Sequence, residues 1–356
     1  MTHVFVAPHP DDVALSCGGL IASLRELGQN VAIITVFSGN GGADHLSPYQ
    51  REALGFGSKA VWPVTEAFNR SNIPNDFATS ETAPPWAATA DRLDATQADA
   101  DAAAKRFWQR SSWYRRASIH NESLAGQPVI DDLATQGAVL TTVLTDAEAA
   151  NDAQAIRRLE DERYAYFAEA SLILLDLPDA VFRGYEGDGE LLGIPREDDP
   201  APVGLLRREI ARLEPQKVYF PLGVGGHVDH QLVRNVGLAM IGDARRWVMP
   251  GPEWAGIVSF YEDFPYALWS DFRSLDELGE GFFEMPYDVS IVPSYADISD
   301  QIERKITGVT LYESQLARLF GGRGPMADAV RTYGRKIGAL GGLNGHAERY
   351  WSSRTL

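Results

Sequence analysis

The sequence has little cysteine, little basic charge and no long apolar run. A single cysteine, Cys17, occurs in 356 residues, which excludes an internal disulfide framework and fits a reducing cytoplasm. Lys and Arg number 32 against 49 Asp and Glu, giving a net charge of −17. This charge argues against nucleic acid or an anionic membrane as a partner. No stretch approaches the length of a membrane helix, and no secretory signal opens the chain. We therefore expect a soluble cytoplasmic protein.

The ends of the chain have the rhythm of an α/β protein. Val4 to Ala7 is a short, β-forming apolar run, typical of a buried parallel strand, and Val31 to Phe37 is a second one. Between them, apolar residues recur at helical spacing from Val13 to Leu27. Ile302 to Leu319 has the spacing of a late helix. These patterns predict a Rossmann-like, mostly parallel sheet flanked by helices.

Residues 44–150 interrupt that rhythm. An Ala-rich, Asp-rich stretch there reads as helix, and the region holds four of the eight tryptophans. We therefore expect a catalytic α/β domain formed by residues 1–43 and 151–356, with a large, mainly helical insertion at 44–150. A basic, acid-free cluster in the insertion suggests a lid over the site, with aromatic and guanidinium groups for the substrate. The other interpretation is a satellite core or an oligomer contact.

The first candidate site follows the first strand directly. His9, Asp11 and Asp12 lie in the strand-to-helix turn, at the sheet edge where α/β proteins bind ligands. His9 and Asp12 are suitable zinc ligands that can face one point, with Asp11 beside them and not coordinated. Alternatively, one Asp merely caps the helix and His9 is a turn residue.

A second turn has the same character. The apolar run Lys217 to Leu222 predicts a strand, and a glycine-rich turn after it holds His227, Asp229 and His230. Parallel strands bring their carboxyl ends to one edge, so the two turns can meet. His9, Asp12 and one of the two downstream histidines would then bind zinc and leave a fourth position open for water, as in catalytic zinc sites.

These two motifs resemble the PIG-L/LmbE-like zinc de-N-acetylase family. Smaller similarities support the resemblance: Arg158 with Glu160, Leu177 to Asp179, Tyr261 to Tyr266, and Tyr312 to Gln315. It covers residues 1–43 and about 151–320. The chain departs from the family by having Val13 where a Glu is usual, and by the insertion.

The resemblance implies a role for each motif residue. His9, Asp12 and His230 would be the metal ligands, for Zn²⁺ or another divalent ion, and Asp11 the general base. From its position three residues before His230, and not from the resemblance, we expect His227 to stabilise the oxyanion as a protonated imidazole, with Asp229 orienting it. Arg158 and Asp179 would contact substrate, although Asp179 could instead cap a turn. Ser38 and Asn40, after the second strand, are either substrate contacts or plain turn residues.

From the residues alone, we infer zinc-dependent hydrolysis of a polar bond. The resemblance narrows this to removal of an acetyl or other acyl group from the amide nitrogen of an N-acetylated amino sugar or its conjugate. Two alternatives stay open. One is a zinc amidase for a non-sugar amide, such as a thiol conjugate or an acylated natural product; the other is a sugar-binding homologue without turnover. A small-molecule substrate is the expected partner, and homo-oligomers are an open option.

Overall fold

The computed structural model describes residues 1–39, 153–199, 201–243, 254–278 and 289–355. Asn40 and the insertion 44–150 lie outside these ranges, so the expectations made for them are not addressed by the structure. All other candidate site residues fall within the described ranges.

The described chain forms one seven-stranded sheet in the order β3-β2-β1-β4-β5-β7-β6. The first five strands in this order are parallel, whereas β7 runs antiparallel to both β5 and β6. The predicted mostly parallel α/β fold is therefore confirmed. The strands are β1 (Thr2–Ala7), β2 (Asn30–Thr35), β3 (Ser171–Leu174), β4 (Lys217–Pro221), β5 (Val258–Tyr261), β6 (Val289–Asp297) and β7 (Ala347–Thr355).

Helices flank this sheet. In chain order they are α1 (Asp12–Glu26), α2 (Ala153–Phe167), α3 (Asp188–Leu191), α4 (Val203–Arg212), α5 (Val228–Asp243), α6 (Tyr266–Trp269), α7 (Ile302–Val309), α8 (Glu313–Phe320) and α9 (Arg323–Leu340). Short 3₁₀ turns lie at Ala180–Phe182, Trp254–Gly256, Leu275–Leu278 and Ser299–Gln301. None of the helices in the described ranges is long and apolar enough to cross a membrane.

The single late helix predicted from Ile302 to Leu319 is wrong. The chain leaves α7 at Thr310 and re-enters a helix at Glu313. Apolar spacing continues across the break because both helices bury one face against the same core. The side chain of Tyr312 turns inward between them and donates its hydroxyl to Asp161 Oδ1 at 2.6 Å.

Strand order brings the two predicted turns together. β1 lies between β2 and β4, pairing Val4 with Ala32 on one side and with Val218 on the other. The chain therefore builds the sheet outward from β1 in one direction and then returns to build it in the other. The carboxyl ends of β1 and β4 flank this switch point, which is where open α/β sheets bind ligands.

A buried glutamate, Glu348, ties β7 to α7 through an ion pair and to α1 through hydrogen bonds. Glu348 on β7 contacts Lys305 Nζ at 2.7 Å, and both side chains are nearly inaccessible, at 5% and 6% exposed. The same carboxylate accepts hydrogen bonds from the amides of Gly19 and Leu20, each at 2.9 Å, and from the Tyr350 hydroxyl at 2.7 Å. Because every lone pair is engaged, this charge is compensated inside the core.

Replacing Glu348 with Ala should lower the free energy of unfolding by about 3–5 kcal/mol, because it leaves Lys305 charged and buried without a partner. Denaturant unfolding measures this loss. The matched control is Glu303→Ala, which removes a pair to Arg331 whose Glu side chain is 68% exposed. That variant should lose at most about 1 kcal/mol. Equal losses in the two variants would show that burial of the pair does not matter.

Candidate active site

The turn after β1 holds three buried polar side chains. His9, Asp11 and Asp12 are each less than a tenth exposed. Asp12 Oδ2 accepts a hydrogen bond from the His9 amide at 2.8 Å, which closes the turn on itself. Asp11 is the residue before α1, but its side chain caps no amide, and its φ of 103° is a conformation that L-residues rarely adopt. The capping alternative is therefore wrong for Asp11, whose carboxylate faces the cleft instead.

The turn between β4 and α5 supplies the second set. His227, Asp229 and His230 are buried, and Asp229 is completely inaccessible. Gly225 has a φ of +90°, and a Cβ placed there would meet the Tyr266 ring at 2.5 Å. Glycine is therefore required for the turn to pass Tyr266 and deliver both histidines to the cleft.

Asp12 lies close to a nitrogen atom of each of two histidines, at a possible metal site. Asp12 Oδ2 lies 3.3 Å from His9 Nδ1 and 3.4 Å from His230 Nε2. Two ligands that are each about 2.0–2.2 Å from a tetrahedral zinc ion are separated by about 3.3–3.6 Å. The donor types, two imidazoles and one carboxylate, also suit zinc. The residues present therefore fit the ion that the sequence predicts.

The outer nitrogen of each of these histidines is held by a carboxylate. His9 Nε2 contacts Asp229 Oδ2 at 2.8 Å, and His230 Nδ1 contacts Asp263 Oδ1 at 2.6 Å. A metal ion would replace the proton on each inner nitrogen that faces Asp12, whereas the outer nitrogens would keep their protons. Such outer carboxylates fix the orientation of a ligand histidine and raise its basicity.

His227 belongs to a second histidine cluster, but its hydrogen bonding disfavours a ligand role. Nitrogen atoms of His9, His227 and His230 lie within 4.8 Å of one another. However, His227 Nδ1 accepts a hydrogen bond from the Asp229 amide at 3.2 Å. A neutral imidazole that accepts at Nδ1 carries its proton on Nε2, so neither nitrogen offers a lone pair to a metal.

Two details expected for His227 need correction. Burial and then the positive charge of His9 lower the pKa of His227 well below its ordinary value, so His227 is neutral, not a protonated imidazole. The neutral Nε2–H still donates a hydrogen bond. The carboxylate of Asp229 also does not orient His227: it binds His9, and only the Asp229 backbone amide contacts His227.

Asp11 has the electrostatics of a base that works near neutrality. Burial raises the pKa of Asp11 to about 7, although Arg157 pulls in the opposite direction, and the adjacent Asp12 adds to the rise. Arg157 Nη2 lies 3.7 Å from Asp11 Oδ1 and donates to the Pro10 carbonyl at 3.2 Å. The arginine therefore fixes the turn while leaving Asp11 free to exchange a proton.

The substrate contact predicted for Arg158 is wrong, because the neighbouring Arg157 lies at the cleft instead. Arg158 lies on the outer face of α2 and pairs with Asp176 at 2.8 Å, with both side chains largely in solvent. Arg157 is buried and lines the cleft, where it contacts Asp179 Oδ2 at 3.5 Å. Asp179 lies in the cleft as expected, 3.6 Å from His9 Nε2. Its other oxygen accepts from the Val181 amide at 3.2 Å, so it also caps the 3₁₀ turn that follows β3.

Ser38 does not reach the cleft. It is completely buried, and its hydroxyl accepts a hydrogen bond from the Asp176 amide at 3.2 Å. The substrate-contact interpretation of Ser38 is therefore wrong, and the turn role is correct. Asn40 lies outside the described residues.

The loop after β5 carries a residue that the sequence reading missed. Asp263, at 1% exposed, orients His230 and accepts hydrogen bonds from the amides of Gly223 and Val224 at 2.7 and 2.9 Å. It therefore connects this loop to the histidine turn. Its place in the motif Tyr261 to Tyr266, which the resemblance had marked without a role, is the signal that could have found it.

Polar and apolar side chains both line the cleft. The polar part is formed by the two turns, Arg157 and Asp179. The remaining lining residues, which we call the apolar wall although Gln315 and Arg318 belong to it, are Leu15, Val181, Leu191, Pro265, Tyr266, Trp269, Gln315, Arg318 and Leu319. The open volume of the cleft, which includes space open to solvent, is about 730 Å³.

Carboxylates on α2 hold the start of α8, which supplies part of the apolar wall. Glu160 accepts from the Ser314 amide at 2.8 Å and from the Ser314 hydroxyl at 2.6 Å. Burial raises the pKa of Glu160 to about 8, against the hydrogen bonds from Ser314. This contact joins the motif Tyr312 to Gln315 to α2, the helix that carries Arg158 and Glu160. Gln315 then lines the cleft.

Fold and site together define a mostly parallel α/β protein with a histidine–carboxylate centre at the switch point of its sheet. Residues 4–60 match the family described as PIG-L: GlcNAc-PI de-N-acetylase, a range that includes His9, Asp11 and Asp12. The resemblance predicted from the sequence is therefore confirmed.

Among curated proteins, the chain is similar to the 2'-N-acetylparomamine deacetylase of Streptomyces fradiae. The two are 33% identical over 164 residues, which cover 45% of this chain and 53% of that protein. The chain thus spans about half the length of this relative.

Solved structures share the fold of the described residues. A deacetylase of the teicoplanin biosynthesis pathway is 17% identical, with a TM-score of 0.55 and coverage of 100% of this chain and 99% of that one. The A40926 pseudoaglycone deacetylase is 18% identical, with a TM-score of 0.53 and coverage of 99% and 97%. A third, described as the zinc inhibited form of teicoplanin deacetylase, also has a TM-score of 0.53, with 18% identity and coverage of 100% and 99%.

Replacing His230 with Ala should abolish stoichiometric metal binding, because it removes one of the two imidazole donors that face Asp12 Oδ2. His227→Ala is the matched control on the same turn, and it should purify with as much zinc as the parent. Elemental analysis of the purified proteins measures both. Loss of zinc from His227→Ala with retention in an Asp12→Asn variant would instead assign the three-histidine set as the ligands.

Proposed function

We propose that this chain is a zinc-dependent deacetylase that hydrolyses the acetamide of an N-acetylated amino sugar or its conjugate. One observation carries the proposal: Asp12 Oδ2 lies 3.3 and 3.4 Å from nitrogen atoms of His9 and His230, and the buried carboxylate of Asp11 lies beside them at an open cleft. The similarity to the paromamine deacetylase supports the acetamide and the amino sugar. The described fold that the chain shares with other deacetylases agrees with it.

His9 Nδ1, Asp12 Oδ2 and His230 Nε2 would hold the zinc ion. When bound, zinc supplies a Lewis acid that polarises the amide carbonyl and lowers the pKa of water. Asp229 and Asp263 keep the two imidazoles turned toward the ion. Because imidazole and carboxylate donors also accept other divalent metals, metal identity is set by affinity and supply.

Asp11 performs both proton transfers. As a base it accepts a proton from the water that attacks the acetamide carbon. It then donates this proton to the amide nitrogen as the C–N bond breaks, so that acetate and a free amine result. A group that acts as base and then as acid works best with a pKa near the working pH. Burial of Asp11 provides that value.

His227 stabilises the charge that develops on the carbonyl oxygen. Its neutral Nε2–H is a donor fixed in direction, because Nδ1 is held by the Asp229 amide. A fixed donor needs no reorganisation during the reaction, which is the source of oxyanion stabilisation. No positive charge on the imidazole is required.

The apolar wall suits a sugar ring. Trp269 packs edge-on against Tyr266 with ring centroids 5.7 Å apart. The centroid of its ring also lies 6.5 Å from that of Phe320. Aromatic faces pack against the C–H faces of pyranose rings, whereas Arg157 and Asp179 in the polar part of the cleft can bind hydroxyls. This division favours an amino sugar over a purely apolar amide.

Three broader expectations belong to the same proposal. The buried cysteine, Cys17, fits a reducing cytoplasm. The described chain continues past the carboxyl end of β2 as far as Gly39, and for the insertion 44–150 that follows the proposed role is a lid, with an oligomer contact as the alternative. A homo-oligomer is compatible with either role of the insertion.

A panel of N-acetylated compounds tests the activity directly. Acetate release should be found with N-acetylglucosaminides and not with N-acetyl amino acids or N-acetylcysteine, and it should require bound metal. Release only from the non-sugar amides would favour the amidase alternative. Tight sugar binding without release, in protein that carries metal, would favour a non-catalytic homologue.

Within this assay, Asp11→Asn should bind zinc like the parent but lose several orders of magnitude in kcat, because the attacking water has no proton acceptor. Asp276→Asn, on a surface 3₁₀ turn, is the control and should retain full activity. If Asp11→Asn lost its metal as well, the roles of Asp11 and Asp12 would have to be exchanged.

Replacing Trp269 with Ala should raise KM for an N-acetylglucosaminide about two- to tenfold, the range for one aromatic contact. The kcat value should change little, since Trp269 has no group that could transfer a proton. Trp269→Phe keeps an aromatic face and should stay near the parent. Steady-state kinetics separate the two constants, and an unchanged KM in the Ala variant would remove Trp269 from the sugar contact.

A further inference from the structure

Asp229 has more partners than orientation of one histidine requires. Its Oδ2 accepts from His9 Nε2 at 2.8 Å and from the Ala180 amide at 3.0 Å, while its Oδ1 accepts from Arg183 Nη2 at 2.5 Å. The residue is completely buried. A buried carboxylate without a cation is costly, so the charge of Arg183 offsets the desolvation of Asp229.

Arg183 lies outside the cleft but is held on every side. Its Nε and Nη2 donate to Asp199, with a closest contact of 2.8 Å, and its Nη1 donates to the Pro178 carbonyl at 2.6 Å. The guanidinium plane also lies 4.6 Å from the centroid of the Phe37 ring. These contacts fix the direction in which Nη2 donates to Asp229.

We propose that Arg183 is a positioning residue for the metal centre. Through Asp229, it holds the His9 imidazole with Nδ1 directed toward Asp12 Oδ2. The chain of contacts runs from Asp199 through Arg183 and Asp229 to His9, and nothing in the sequence motifs marks its first two members. The proposal rests on the metal site proposed above.

The chemistry of the side chain requires arginine at this position. One planar fork contacts two carboxylates and a carbonyl at the same time, which the single ammonium of lysine cannot reproduce. Without the fork, Asp229 would lose its counter-charge and would be less firmly placed on His9. An affinity loss of roughly 10- to 100-fold is typical when such an outer partner of a metal ligand is removed.

The test measures zinc affinity of the metal-free, full-length protein by competition with a chromophoric chelator. Arg183→Gln should raise the Kd for Zn²⁺ roughly 10- to 100-fold. The matched control is Arg196→Gln. Arg196 is a nearby arginine that packs over the Tyr185 ring at 4.5 Å and pairs with Glu190 and the Gly184 carbonyl. Its Kd should equal that of the parent.

Arg183→Lys keeps the positive charge and serves where the Gln variant does not fold. Its Kd should rise by roughly fivefold or more, since the fork is lost. Parent-like affinity in either folded Arg183 variant, or an equal loss in Arg196→Gln, would overturn the proposal. A parent that binds zinc tightly but releases no acetate would refute the proposed reaction and leave this role of Arg183 intact. A parent that binds no zinc would overturn both.

Discussion

The structure depends on the hydrogen bond between Asp229 and His9, which joins two turns 220 residues apart in the sequence. Asp229 immediately precedes His230. The segment after β4 therefore supplies His230 as a proposed ligand and also the carboxylate of Asp229, which orients His9, the proposed ligand of the other turn. Asp263 then performs for His230 what Asp229 performs for His9. Neither histidine is positioned by its own turn alone, and the donor set therefore exists only when β1, β4 and the loop after β5 are assembled.

Such a concentration of buried charge is tolerated because each group has partners. Burial alone would drive the carboxylates to protonate and the imidazoles to lose their protons. For His9 the burial effect is outweighed: Asp179 and the hydrogen bonds to Asp12 and Asp229 raise its pKa to about 10. The neighbouring charge of His9 in turn keeps Asp229 and Asp179 ionised, with pKa values below the ordinary range. The cluster is stable as a network, although its members would not be stable singly.

Much of this could be predicted from the sequence, since strand, turn and donor residues are contiguous in both motifs. Parallel pairing then requires the turns to meet at one edge, without knowledge of any contact. Two kinds of prediction were wrong: which face of a helix points inward, and in which direction a turn folds. Arg157 and Arg158 are adjacent, and the apolar spacing of α2 did not decide which of them faces inward. Ser38 follows a strand as the histidines do, but its turn folds back onto Asp176. Arg183 could not be found, because a lone charged residue carries no periodic signal, and Asp263 was marked only by the motif Tyr261 to Tyr266, which gave it no role.

Asp11 is the residue at which local rules are broken, and the violations agree with one another. Its backbone has a φ of 103°, which costs conformational energy, and its carboxylate forgoes the helix amides that it is placed to cap. Burial raises its pKa to about 7. Each of these features would be a defect in a purely structural aspartate. Together they leave a carboxylate that is held in the cleft beside the proposed metal ligands and that can gain or lose its proton near neutral pH. These are the properties that the proposed general base requires. The surrounding network maintains this strained residue, because Asp12 closes the turn on one side and Arg157 binds the Pro10 carbonyl on the other.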